Sequence, residues 1–429
     1  MRSPVTEHRG EEPPTIKRRA FFALLGGTAL TWPRALDALA KDLQAGGAPD
    51  DEAFWAFVKD QFLIPRDRIY LNNGTLGPSP AVVVDAVAEH ARRVASTYPP
   101  GVDWDDLKGS VGAFLGAEPE GLVFPRNTTE AMSFVAQGLE LEPGEEILTS
   151  DHEHIGGLCP WQLVSRRGGL NLRTFSLPVP PRSSGELLEV IKGAISPNTR
   201  VLSLSHVTFT TGALLPVEEV ARTCRERGII FVVDGAHPPG MLTLDLSSWR
   251  PDFYASSPHK WLLAPQGSGL LYLDGEWRTR LWPTLASGGW DDLESGAQRL
   301  NHFGTFDESR MAGLIAAVEF LNTLGMARVE ARIRYLRKRL EEALRSMPGV
   351  EVKSPAQEDL CSGMVSFAMQ GVDSLALQRH LARVAAVRTR VISEYDYGWM
   401  RLSTHVYNLP GELDRVVELL EDVRRNGLS

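Results

Sequence analysis

The feature that most restricts how this chain can fold is the run Gly228-Ile229-Ile230-Phe231-Val232-Val233-Asp234-Gly235-Ala236-His237. Five consecutive apolar, mostly β-branched residues read as a strand buried on both faces. Such a strand needs helices above and below it, so the run predicts an α/β domain around a mostly parallel sheet. The strand ends in a carboxylate, Asp234, at the carboxyl edge where these sheets place ligands. An Asp that merely caps a turn would look the same. A magnesium ligand of a nucleotide hydrolase is the other reading, and the chain has no GxxxxGK[ST] phosphate loop to support it.

A second element lies 26 positions on. In DFYASSPHKWLLAPQGSGLLYL, residues 252–273, a strand stops at Ser257-Pro258-His259 and delivers Lys260 before the break Gly267-Ser268-Gly269 and another apolar strand. Taken alone, Lys260 is a surface lysine at a strand end. Between two buried strands, desolvation lowers a lysine's pKa and makes it a nucleophile or Schiff-base partner. Ser257 and His259 beside it have the chemistry to hold a phosphate. The reading is that Lys260 carries pyridoxal 5′-phosphate (PLP), with Asp234 on the ring nitrogen so that the ring accepts electrons.

Four further stretches have site character. Leu122–Phe124 reads as a strand leading through Asn127-Thr128-Thr129-Glu130 into a helix, whose free N–H groups suit a phosphate. Asp151-His152-Glu153-His154 follows another strand; two His at i, i+2 suggest a metal, but no third ligand stands at a characteristic spacing. Tyr70-Leu71-Asn72-Asn73-Gly74-Thr75 runs from a strand into a turn. Arg401-Leu402-Ser403 continues to Tyr407-Asn408, and Arg401 is either a solvated strand residue or a planar fork for a carboxylate.

In this order the motifs resemble the class V aminotransferase family of fold type I PLP enzymes, which includes cysteine desulfurases and isopenicillin N epimerase. HKWLxAPxGxG is most similar to the epimerase-like branch. The resemblance implies a large domain with a mostly parallel seven-stranded sheet and a small α+β domain. It implies that Thr128 and Thr129 bind the cofactor phosphate, that His154 stacks on the pyridine ring, and that Arg401 binds the substrate α-carboxylate. Asn73 would line the substrate pocket. His237 falls where desulfurases have a glutamine near the phenolic oxygen. Phe209 stands where they have an asparagine, which leaves Thr208 as a replacement contact. Asn301-His302-Phe303-Gly304-Thr305 matches an element whose threonine reaches the phosphate of the neighbouring subunit, so Thr305 implies a homodimer.

Composition bounds the rest. The 429 residues suffice for two domains, and a net charge of −9 argues against nucleic acid as partner. The densest basic run, Arg332–Arg339, reads as the solvated face of a helix. Three cysteines without CxxC spacing predict neither a zinc site nor a disulfide framework. Lys17-Arg18-Arg19-Ala20-Phe21-Phe22, a short apolar run and Ala38-Leu39-Ala40 resemble a twin-arginine export signal, too short to span a bilayer as a mature helix. A cytoplasmic extension is the alternative. The expected divisions are a signal over 1–40, an N-terminal segment packing with the small domain over 41–75, a large PLP domain over 76–310 and the small domain over 311–429, with residues 311–347 helical.

For the reaction, the resemblance implies chemistry at the α-carbon of an amino acid. Epimerisation is the first expectation, transamination or β-elimination the alternative. Desulfurases need a loop cysteine; the equivalent place falls near Ser393, and no cysteine follows Cys361.

Overall fold

The computed structural model describes residues 32–42, 47–97 and 101–428. The short strand Ile69–Tyr70 (β1) is followed by Leu122–Val123 (β2), Glu146–Ser150 (β3), Asn171–Phe175 (β4) and Thr199–Ser205 (β5). The apolar run forms Ile230–Asp234 (β6), and Phe253–Ser256 (β7) and Leu270–Leu273 (β8) come next. Seven of these form one sheet in the order β2-β8-β7-β6-β5-β3-β4. Strands β4, β3, β5, β6 and β7 run parallel, and β8 is antiparallel to both β7 and β2. The alternation of a strand divides each one between two apolar layers. Phe231, Val233, Leu202 and Tyr254 enter one core, whereas Ile230, Val232, Val201 and Phe253 enter the other.

The second domain contains Val350–Val352 (β9), Met364–Met369 (β10), Val387–Arg388 (β11), Arg390–Ile392 (β12) and Trp399–Ser403 (β13). Four of them make an antiparallel sheet in the order β12-β13-β10-β9, while β11 pairs in parallel with β1. Residues 387–392 therefore serve two sheets. The helix expected over 311–347 is two, Ser309–Leu324 and Met326–Ser346, bent by 79° at Gly325, whose φ is +83°. The first is buried nearly all round and threads the large-domain core.

The basic run is a solvated face only in part: Lys338 and Arg339 are exposed, whereas Arg332 and Arg337 turn inward. Arg332 is fully buried and donates to the carbonyls of Pro49 and Asn408 and to Glu52. Arg337 is buried against Glu341 and the Pro355 carbonyl. Guanidinium donors planted in carbonyl cages turn these helix residues inward.

The Lys17–Leu30 stretch lies outside the described residues. Ala38–Ala40 sits within helix Trp32–Asp42, where Leu36 and Leu39 are buried in the main core. No single helix among the described residues is long and apolar enough to cross a membrane.

Candidate active site

The carboxyl ends of β3, β5, β6 and β7 open onto a cavity of about 380 Å³. Its walls include Thr128, Thr129, His154, Asp234, His237, Ser257, His259, Lys260 and Arg401. Nine residues expected from distant parts of the chain thus share one space.

At one end, helix Thr128–Gly138 begins with Asn127 as N-cap, its side chain accepting from Glu130 N–H. Thr128 N–H donates to Ser257 Oγ at 3.0 Å, and the two hydroxyls are 2.8 Å apart. Nδ1 of His259 is buried without a partner. Two threonines, a serine, an unpartnered imidazole nitrogen and a helix N-terminus form a donor set that fits a phosphate.

Asp234 sits at the end of β6, its Oδ1 accepting from Ala236 N–H at 3.0 Å. Burial raises its pKa and the nearby Lys260 charge opposes that rise. Glycine at 157 leaves the acid room, since a Cβ there would lie 2.8 Å from Asp234 Oδ2. Lys260 follows β7, and the turn after it carries buried Leu263 at φ +63°, an outlier of the kind active sites hold. Burial pulls the Lys260 pKa down to about 8, with Asp234 pulling the other way and Arg401 adding to the fall. Gly77 packs directly on this loop: its N–H donates to the His259 carbonyl, and a Cβ would overlap the Lys260 carbonyl.

His154 caps its own helix, Ile155–Gly168, by accepting from Gly156 N–H at Nδ1. Its ring stands edge-on to Phe209, centroids 5.2 Å apart. Desolvation, then the Lys260 charge, lowers its pKa to about 4, so the ring is neutral at physiological pH and Nε2 carries the hydrogen. His237 accepts from Trp261 Nε1 at Nδ1, which likewise leaves its hydrogen on Nε2.

Arg401 on β13 is buried; it donates to the Phe209 carbonyl at 2.8 Å and to Thr75 Oγ1 at 3.2 Å, and its Nε has no partner. It has no acidic partner among the described ion pairs. Burial and the charge of Arg390, its cross-strand neighbour, lower its pKa to about 9. A desolvated guanidinium with spare donors fits a substrate carboxylate.

Two expected contacts are placed elsewhere, and Thr305, expected to act on a neighbouring subunit, lies outside this chain's own cavity. Thr208 is outside the cavity; its hydroxyl bonds Thr211 and the backbone of Ala213 within a tight turn, and Phe209 takes the wall position. Asn73 is fully buried beneath the wall, accepting from the Tyr407 hydroxyl, while Gly74 and Thr75 face the space. Thr305 is exposed on a loop away from this chain's own cavity. Sequence reasoning missed Ser205, Gly156, Gly157 and Arg390 as wall residues. Among the described residues no group of His, Cys, Asp and Glu could hold a metal. His152 instead meets the Thr210 hydroxyl and stacks on Tyr397.

The loop after β12 reaches across to the turn that carries His154. Arg390 pairs with Glu394 at 2.5 Å, Tyr395 O–H donates to the Glu153 carbonyl at 2.7 Å, and Tyr397 O–H reaches the Asp151 carbonyl. The three cysteines are free; Cys224 and Cys361 are buried, exposed Cys159 lies on helix Ile155–Gly168, and none lines the cavity.

The sheet and the site together define a fold type I PLP enzyme, and the family model "Aminotransferase class-V" matches residues 102–416. The chain belongs to the class V aminotransferase family. It is 35% identical to an isopenicillin N epimerase of Amycolatopsis lactamdurans over 86% of this chain and 99% of the relative. It is 33% identical to the isopenicillin N epimerase of Streptomyces clavuligerus over 86% and 98%. A probable cysteine desulfurase of Pyrococcus abyssi is 27% identical over 85% and 96%. Among solved structures, a complex of the cystine C–S lyase C-DES with cysteine persulfide has a TM-score of 0.75 at 25% identity, covering 83% of this chain and 98% of that one.

Proposed function

We propose that this PLP-dependent enzyme acts at the α-carbon of an amino acid as an epimerase or racemase. The observation that carries the reading is the grouping of Lys260, Asp234 and an acid-free Arg401 in one cavity. The phosphate donors at one end, the carboxylate in the middle and the lysine beside it fit PLP, which supplies an electron sink when bound. Arg401 holds the substrate carboxylate. Asp234 keeps a proton on the ring nitrogen. Lys260, whose amine is largely neutral above pH about 8, would take the α-proton from one face, and a proton delivered to the other face by solvent or a second cavity group would invert the centre. His154 and Phe209 restrict the ring plane and exclude water.

The similarity to the two isopenicillin N epimerases supports this reading over desulfuration. So does the loop over residues 393–398, which carries tyrosines and no thiol. Likeness to the cystine C–S lyase supports β-elimination as a second reading. Incubating the holoenzyme with amino acids in D₂O separates them. Deuterium at Cα with loss of optical purity supports epimerisation, keto acid with amine transfer indicates transamination, and keto acid with ammonia indicates elimination.

Two further readings go with this one. Exposed Thr305, flanked by Phe303 and Phe306 that share a surface pocket with exposed Leu285, supports a homodimer with shared sites, tested by light scattering. The Arg18-Arg19 stretch supports twin-arginine export, tested by fractionation with intact mass. Cleavage near Ala40 would strip Leu36 and Leu39 from the core, so the mass reports whether that helix stays.

A further inference from the structure

Directly behind the cofactor-facing wall lies a carboxyl that the chemistry above does not use. Glu153 is 3% exposed, and its two oxygens accept from Ser150 Oγ at the end of β3 and Ser205 Oγ at the end of β5, each at 2.5 Å. Ser205 itself lines the cavity and is the cross-strand partner of Asp234. The backbone carbonyl of Glu153 holds Tyr395 from the opposing domain, and the next residue is His154. Glu153 thus joins two strand ends, the ring-bearing turn and the 393–398 loop.

We propose that Glu153 is a positioning residue for the cofactor site: through Ser205 it sets the charge around Asp234, and its own ionisation changes how tightly the cofactor and Lys260 hold their protons. This rests on the reading of the cavity as a PLP site. The groups facing Glu153 are Ser150 from β3, Ser205 from β5, Asp234 from β6 with Lys260 beyond it, and Tyr395 from the loop. Asp151, His152 and His154 share its own turn. Burial pushes the Glu153 carboxyl up to about 7, the two serine bonds resist, and the Asp234 charge adds to the rise. Near neutral pH the site therefore switches between one acid charge and two. A second negative charge behind Asp234 strengthens proton binding on every group it faces.

The test is a pH titration of cofactor absorbance in the wild-type holoenzyme and in Glu153→Gln, which keeps one serine bond, reverses the other so that the amide donates, and removes the charge. The expected result is a midpoint lowered by roughly one pH unit, as one charge several ångströms away produces in a partly polar interior. Ser205→Ala, which cuts one link, should shift it less and in the same direction; it carries the test where the glutamine variant does not fold. Variants that bind cofactor and titrate like wild type would overturn the role of Glu153 alone. A wild-type protein with no cofactor band would overturn it together with the PLP assignment.

Discussion

Trp261 Nε1 donates to His237 Nδ1 at 3.0 Å, and the Trp261 carbonyl in turn meets His405 Nε2 at 2.9 Å. The residue next to Lys260 therefore fixes the tautomer of the cavity histidine, presenting an N–H to whatever lies within. Trp261→Phe removes that donor while filling most of the volume. Cofactor affinity should fall by up to about tenfold, in line with the loss of one hydrogen bond of about 1 kcal/mol, and fluorescence titration with PLP measures it.

Lys260→Ala should abolish the cofactor's bound absorbance band; an unchanged spectrum would remove the basis of the functional reading.

The depressed lysine pKa has a consequence for the apoprotein. Holding Lys260 at about 8 instead of 10.5 costs about 3 kcal/mol where the amine is charged in both states. That cost is fully present below pH 8, diminishes as pH rises and is gone above the unfolded value. Lys260→Met should accordingly stabilise the apoprotein at pH 7, with the advantage over wild type vanishing near pH 10.5. Denaturant unfolding at a series of pH values checks both the size and the sign.

Arg401→Ala should raise KM for amino acids by about 10- to 100-fold, the equivalent of a charge-assisted contact of about 1.5–3 kcal/mol. Arg401→Lys should lie between, because an ammonium cannot reproduce the planar fork. Equal kinetics in all three proteins would place the carboxylate elsewhere.

Arg332→Ala should destabilise the fold by about 3 to 5 kcal/mol without altering cofactor absorbance. Removal leaves the Pro49 and Asn408 carbonyls unsatisfied and uncovers the Trp55 ring, over which the guanidinium lies at 5.3 Å. Thermal unfolding measures the loss.

What the sequence revealed, and what it hid, follows from the range of the interactions. Asp234 and Lys260 were legible because apolar runs dictate burial locally, and the bland reading of each gives way only when the two strand ends are taken together with the neighbouring motifs. The helix start at Asn127-Thr128 was legible for the same local reason, but the choice of Asn127 over Thr128 as cap came only with the structure. Arg332 and Arg337 misled because their partners, at residues 49, 52, 355 and 408, are distant in the chain or belong to another element. Thr208 misled because the turn that consumes its hydroxyl closes only when residues 211 and 213 fold back. Glu153 was legible as an acid beside two histidines; its serine partners emerge only when β3 and β5 align.

The tyrosine-bearing loop between β12 and β13 is fastened by two phenols to the backbone that leads into His154. A tether of this kind joins the two domains at the turn that presents the cavity histidine, so that turn belongs mechanically to both. Tyr395→Phe or Tyr397→Phe should loosen that joint, which hydrogen exchange of the loop backbone would register.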